Sequence, residues 1–209
     1  MTDQDPAVKK EFTSDEERRA AFAAMAEEEG GGGGREKLSK VSSTSDNDGV
    51  RRIALAANDM GIPSSMLRYS ETQYTEDGMD LVGAYNEDTG LITLFPAAAD
   101  LDSGTLYGML SHEYNHHLYE KAGGRDGLLE IAKEVVGDDA ITELSKMGGI
   151  TQYSQSFWRT YKWDKSASNL DNAINETLAE VAYKKSIGEP VENDIWEDIY
   201  NRMVGKANG

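Results

Sequence analysis

The run Ser111-His112-Glu113-Tyr114-Asn115-His116-His117-Leu118 holds all three histidines of the chain. On a helix, residues four apart share a face, so His112 and His116 can present two imidazoles to one metal ion. Glu113 sits one residue past His112, on the adjacent part of the surface. From there it can reach a metal-bound water without being a ligand itself. Zinc lowers the pKa of such a water to about 7, and a glutamate in that place can take its proton. The spacing therefore serves metal binding and general-base catalysis together. With three histidines in 209 residues, a chance match is expected in well under roughly 1% of such chains. His117 points off the ligand face and reads as a packing or surface residue.

A catalytic zinc site keeps three protein ligands and one open position. No histidine lies outside the cluster and there is no cysteine, so the third ligand is expected to be a carboxylate. One group of zinc enzymes uses a third histidine ten residues after the first; that position is Ala122 here. The segment Asn175-Glu176-Thr177-Leu178-Ala179-Glu180-Val181 offers two acids one helical turn apart. One could bind the metal while the other accepts the remaining N–H of a ligand histidine and fixes its tautomer. Two glutamates at this spacing in an acidic chain are otherwise a solvated face. Leu178, Ala179 and Val181 around them argue for burial instead. Glu176 and Glu180 are the leading candidates, which the spacing alone does not rank, and Glu120 and then Asp171 follow.

The elements that must position these residues are helices. Asp102 or Ser103 can cap a helix that runs to about Ala122 and carries the histidines, with Gly123-Gly124 as its stop. A helix from about Leu170 to Ile187 carries the two glutamates. Residues 126–147 suggest one or two helices broken near Gly137, and roughly 192–206 a last amphipathic one. Residues 150–168 are aromatic and do not declare a period. Before the histidine helix, residues 80–85 alternate like a strand, NEDTG supplies a turn, and LITLF reads as a second strand. Ser45 or Asp46 can cap a helix to about Met60, with Val50, Ile53, Ala54 and Ala57 inward.

Composition sets the remaining bounds. The net charge of −17 disfavours nucleic acid and anionic lipid as partners. Without cysteine there are no disulfides and no thiolate metal sites. No apolar run approaches a membrane span, and MTDQDPAVKKEF lacks the apolar segment of a secretory signal. The expectation is a cytoplasmic protein, or one exported without a classical signal. Hydrophobic residues make up 38%, low for a wholly globular chain. Residues 1–45 read as a disordered acidic and Gly-rich tail, with the glycine run Gly30–Gly34 at its centre. The folded domain is expected over 46–209.

The arrangement resembles the gluzincin metallopeptidases, the thermolysin-like clan. Asn-Glu-x-x-Ala-Glu at 175–180 is similar to that clan's third-ligand helix, and to the corresponding helix of the anthrax lethal factor catalytic domain. GAYNEDTGLITLF resembles the clan's edge strand and the strand that follows it. The resemblance covers roughly residues 80–120 and 170–185. It implies an α+β, zincin-like fold: a small antiparallel or mixed sheet packed on an active-site helix, with a mostly helical C-terminal half. It implies a Zn2+ cofactor, His112, His116 and Glu176 as ligands, Glu180 as support to a histidine, and Glu113 as general base. The substrate would be a peptide or protein, paired along the edge strand near Val82 to Tyr85. His116 and Glu176 stand 60 residues apart, farther than in compact members, so 124–168 reads as an inserted helical region and a candidate part of the substrate cleft. Tyr153, Tyr161 and Tyr183 are the candidates for an oxyanion donor.

Two other functions fit the same residues. One is a non-catalytic zinc-binding module, structural or inhibitory, although such a site has no use for Glu113. The other is an effector protease of the toxin or phage type, in which the acidic tail serves delivery or assembly.

Overall fold

The computed structural model describes Lys9–Phe12 and residues 38–209, apart from Asp77. The chain divides between Leu110 and Ser111 into two compact units. The architecture is α+β, as the sequence implies, with every described strand in the first unit.

In the first unit a four-stranded mixed sheet has the order β2-β3-β7-β6. β3 (Leu67–Ser70) runs parallel to β7 (Leu91–Leu94), and β2 (Leu38–Lys40) and β6 (Gly83–Asn86) flank them antiparallel. Leu67, Ile92 and Leu94 are fully buried along the two central strands. β6 and β7 form the expected hairpin. Asn86 closes its loop by accepting from Thr89 N at 2.9 Å, and Gly90 takes a positive φ of 67° that a side chain would resist. The first hairpin strand starts later than the expected residue 80. Met79–Asp80 is instead a separate short strand, β5, antiparallel to β4 (Gln73–Glu76). β1 (Lys9–Phe12) lies parallel to β4. Buried Gln73 ties this region together: its Nε2 donates to Leu81 O at 2.7 Å and its Oε1 accepts from Ala97 N at 2.8 Å.

Helix α1 (Asp48–Asp59) buries Val50, Ile53, Ala54, Ala56 and Ala57 and exposes Leu55. Its cap is Asn47, not Ser45 or Asp46: Asn47 Oδ1 accepts from Gly49 N and Val50 N. Ser45 Oγ is engaged one step earlier, accepting from Asn47 N. α1 packs on the short α2 (Pro96–Asp100) at Gly49, where a Cβ would stand 2.4 Å from Ala99 Cβ.

Ordered structure begins before the expected residue 46. β2 is part of the sheet, and Val41 is 3% exposed. Residues 1–8 and 13–37, including the glycine run, lie outside the described residues. Deletion through Ser45 is expected to lower the melting temperature. Burying one valine is worth ~1.5–3 kcal/mol, and each kcal/mol moves Tm by ~2–4 °C at this size. A fall of roughly 3–12 °C in a thermal melt is the expected result; an unchanged Tm would show β2 dispensable.

Helix α3 (Ser103–Lys121) is capped by Asp102, whose Oδ1 accepts from Thr105 N at 3.0 Å. It runs across the boundary into the second unit. There follow α4 (Gly124–Val136), α5 (Ala140–Met147), α6 (Gln152–Trp163), α7 (Ala167–Ser186) and α8 (Asp194–Asn208). The break near Gly137 is where the sequence puts it. The aromatic stretch resolves as α6 because Thr151 and Ser154 form a reciprocal capping box at its start. Trp158 and Trp196 are fully buried in the core between these helices. Each indole N–H is satisfied, by Thr177 Oγ1 and by Gly148 O, both at 2.9 Å, as buried tryptophans require. No helix among the described residues is long and apolar enough to cross a membrane.

Candidate metal centre

α3 and α7 lie side by side and antiparallel in the second unit. Contacts step down one helix and up the other. Ser111 Oγ donates to Ala182 O at 3.0 Å, and His112 meets Glu180, His116 meets Asn175 and Tyr119 meets Asp171. This pairing faces the two histidines toward the two glutamates. Ligand atoms of His112, His116 and Glu176 all lie within 4.8 Å of one another.

Each histidine is held at its Nδ1. His112 Nδ1 is 3.2 Å from Glu180 Oε1, and His116 Nδ1 is 2.9 Å from Asn175 Oδ1. Both partners are acceptors, so each Nδ1 carries its proton and donates it, which leaves each Nε2 as the ligand atom. The rings stand edge to face, with centroids 5.0 Å apart. His112 Nε2 is 3.4 Å from Glu176 Oε2. That oxygen is buried and makes no hydrogen bond. A buried carboxylate oxygen held only by a charged contact at 3.4 Å is under-satisfied, and a cation held with the two Nε2 atoms would satisfy it. Two imidazoles and one carboxylate are a donor set that suits zinc, so the residues fit the metal.

The electrostatics agree. Burial by itself would raise the Glu176 pKa, but its ion-pair contact with His112 and the charges of His116 and His112 hold it below the usual range. Burial would lower that of His112, yet its charged contacts with Glu176 and Glu180, with the charge of Glu113 behind them, push it up to about 10. Without a metal, His112 therefore keeps a second proton through neutral pH, on Nε2. A metal ion must displace that proton. Binding near pH 7 is expected to release about one proton per ion, and affinity to rise with pH up to about 10. Calorimetric titration in buffers of different ionisation enthalpy reads the release; heats independent of buffer would refute it.

Glu113 is half-buried and outside the ligand cluster, and its charge acts on both His112 and Tyr153. Of the three tyrosines, Tyr153 is the one beside the cluster. Its ring centroid is 6.1 Å from that of His112. Although Tyr153 is 52% exposed, partial desolvation on the cluster side, then the charges of Glu176 and Glu113, raise its pKa, so its hydroxyl remains a donor. Tyr161 packs in the core 6.0 Å from Trp158. Tyr183 sits half-buried on α7. His117 stacks on Tyr114 at 5.7 Å, off the ligand face. Asp171 receives the Tyr119 hydroxyl, and Glu120 is not in the cluster. Sequence reasoning did not assign the role of Asn175. Its neighbour Glu176 is a ligand candidate, and a side chain one residue away on an antiparallel helix can reach the second histidine; that was the available signal. Compared with protein-family models, curated proteins and solved structures, the chain matches none.

Proposed function

We propose that this chain is a zinc-dependent endopeptidase of the gluzincin kind, with a zincin-like fold. The observation that carries the reading is the cluster of His112, His116 and Glu176, whose ligand atoms lie within 4.8 Å of one another, with a buried Glu176 Oε2 that has only the charged contact to His112 and two histidines whose Nδ1 atoms are already held. His112, His116 and Glu176 would hold the zinc. Zinc, when bound, supplies Lewis acidity and a water of lowered pKa. Glu113 takes the proton of the attacking water and passes it to the leaving amine of the peptide. The Tyr153 hydroxyl donates to the oxygen on which negative charge develops at the scissile carbonyl. Glu180 and Asn175 keep both imidazoles in the tautomer and orientation that ligation needs. β6 has a sheet neighbour on one side only among the described residues, which suits it to pair with an extended peptide.

A structural zinc site closes with four protein ligands, whereas the cluster among the described residues has three. This supports the catalytic reading over the non-catalytic one. The test is metal content beside activity. The purified protein should hold about one zinc per chain, and cleavage in a proteome-derived peptide mixture should stop on chelation and return with added zinc. Elemental analysis that finds no zinc after refolding with the metal would overturn the reading.

A further inference from the structure

We propose that an open cavity between α5 and α6 binds acidic side chains of an extended polypeptide, and so selects acidic substrates for the metal site. The selection part rests on the peptidase reading; the binding part does not.

The cavity has a volume of about 380 Å³. Lys146 from α5, Lys162 from α6 and Lys165 just beyond α6 converge on it, with Ser145 adding a hydroxyl and Ile141 and Tyr161 an apolar wall. All three lysines are exposed. Lys146 is already bonded to Glu143 at 2.7 Å. Lys162 and Lys165 have no carboxylate partner among the described residues, although the chain carries 38 acidic residues against 21 basic ones. The Lys165 ammonium lies over the Tyr161 ring, 4.7 Å from its centroid, an arrangement that orders the side chain and leaves its charge available. A positive cavity in a surface of net charge −17 attracts anions where the rest of the molecule repels them. That contrast directs an acidic segment to this place.

The same helix carries both sites. Tyr153 stands beside the metal cluster, and Tyr161 and Lys162 line the cavity. Tyr153, Phe157 and Tyr161 are spaced by four and so follow one side of α6, with Tyr153 and Phe157 in edge contact at 5.2 Å. Eight helical residues rise ~12 Å. An extended peptide covers that distance in roughly four residues. The acidic side chain that enters the cavity is therefore expected roughly three to five residues from the scissile bond.

The experiment uses the full chain and a fluorescent peptide containing a run of glutamates, beside the same peptide with glutamines. Fluorescence anisotropy should show binding of the glutamate peptide only, weakened by added salt. Lys162→Glu and Lys165→Glu should each weaken it roughly tenfold. Lys133→Glu, an equal charge change at an exposed position of α4, should not. All three are surface positions, and thermal melts confirm that the variants fold. Equal binding of both peptides, or equal effects of Lys133→Glu and Lys165→Glu, would overturn the proposal. In cleavage assays, moving one glutamate along a peptide should lower KM at the predicted spacing in wild type but not in Lys165→Glu. Cleavage indifferent to the lysines would sink the selection and leave the peptidase standing. Lysine-dependent binding without any zinc-dependent cleavage would sink the peptidase and with it the selection, and leave the binding standing.

Discussion

Glu113→Gln is expected to reduce peptide hydrolysis by at least about 10³-fold while about one zinc per chain stays bound. The two halves of this result test different things. Glutamine matches glutamate in size and keeps a polar end, so packing near His112 should change little. It cannot accept the proton of the attacking water or return it to the leaving amine. That loss is equivalent to ~4 kcal/mol of barrier. Because the loss falls on a step made only in the transition state, kcat should drop and KM should move little. Retention of the metal follows from the geometry, since Glu113 is not among the clustered ligand atoms. Elemental analysis of the variant beside a cleavage assay decides it. Loss of zinc would make Glu113 a ligand. Retained activity would remove it as the base.

The site was more legible in the sequence than the fold around it. Histidines at i and i+4 need only a helix to share a face, and the Asp102 cap and the Gly123-Gly124 stop bound one. Glu176 and Glu180 were recognisable for the same reason, once no histidine or cysteine remained to complete the donor set. Asn175 was not, because its part depends on α7 running antiparallel to α3 at a particular register, which no local pattern states. Choosing among Tyr153, Tyr161 and Tyr183 likewise required the packing of α6. Tyr153 and Tyr161 belong to the same helix, yet one reaches the metal cluster and the other lies against Trp158. β3 and β4 are hard to read from sequence because each is only four residues long and holds two apolar residues at most, Leu67 and Tyr69 in one and Tyr74 in the other, too few to declare a period. The early start of the sheet was hidden for a related reason. Leu38 and Val41 are isolated apolar residues among Ser and Lys, and only the neighbouring strand gives them a core to enter.

Glu176→Ala should weaken zinc binding by well over about 100-fold, and Glu180→Ala by roughly 10–100-fold. From spacing alone the two acids are interchangeable, being one turn apart on one helix. The contacts separate them. Glu180 Oε1 faces Nδ1 of His112, the nitrogen turned away from the ligand cluster, whereas Glu176 Oε2 faces Nε2. Removing Glu176 therefore deletes a charge in direct reach of the metal. It also leaves two imidazoles to hold a dication beside an apolar gap. Removing Glu180 leaves all three ligands in place and loses only the restraint on one ring. Asn175→Ala should fall in the same range as Glu180→Ala, since it releases the other ring from its 2.9 Å bond. Competition with a chelator of known affinity ranks the three variants directly. If Glu180→Ala proves the most damaging, the two acids exchange roles. If neither acid matters, the third ligand lies elsewhere, and Glu120, one turn past His116 on α3, is the next residue to change.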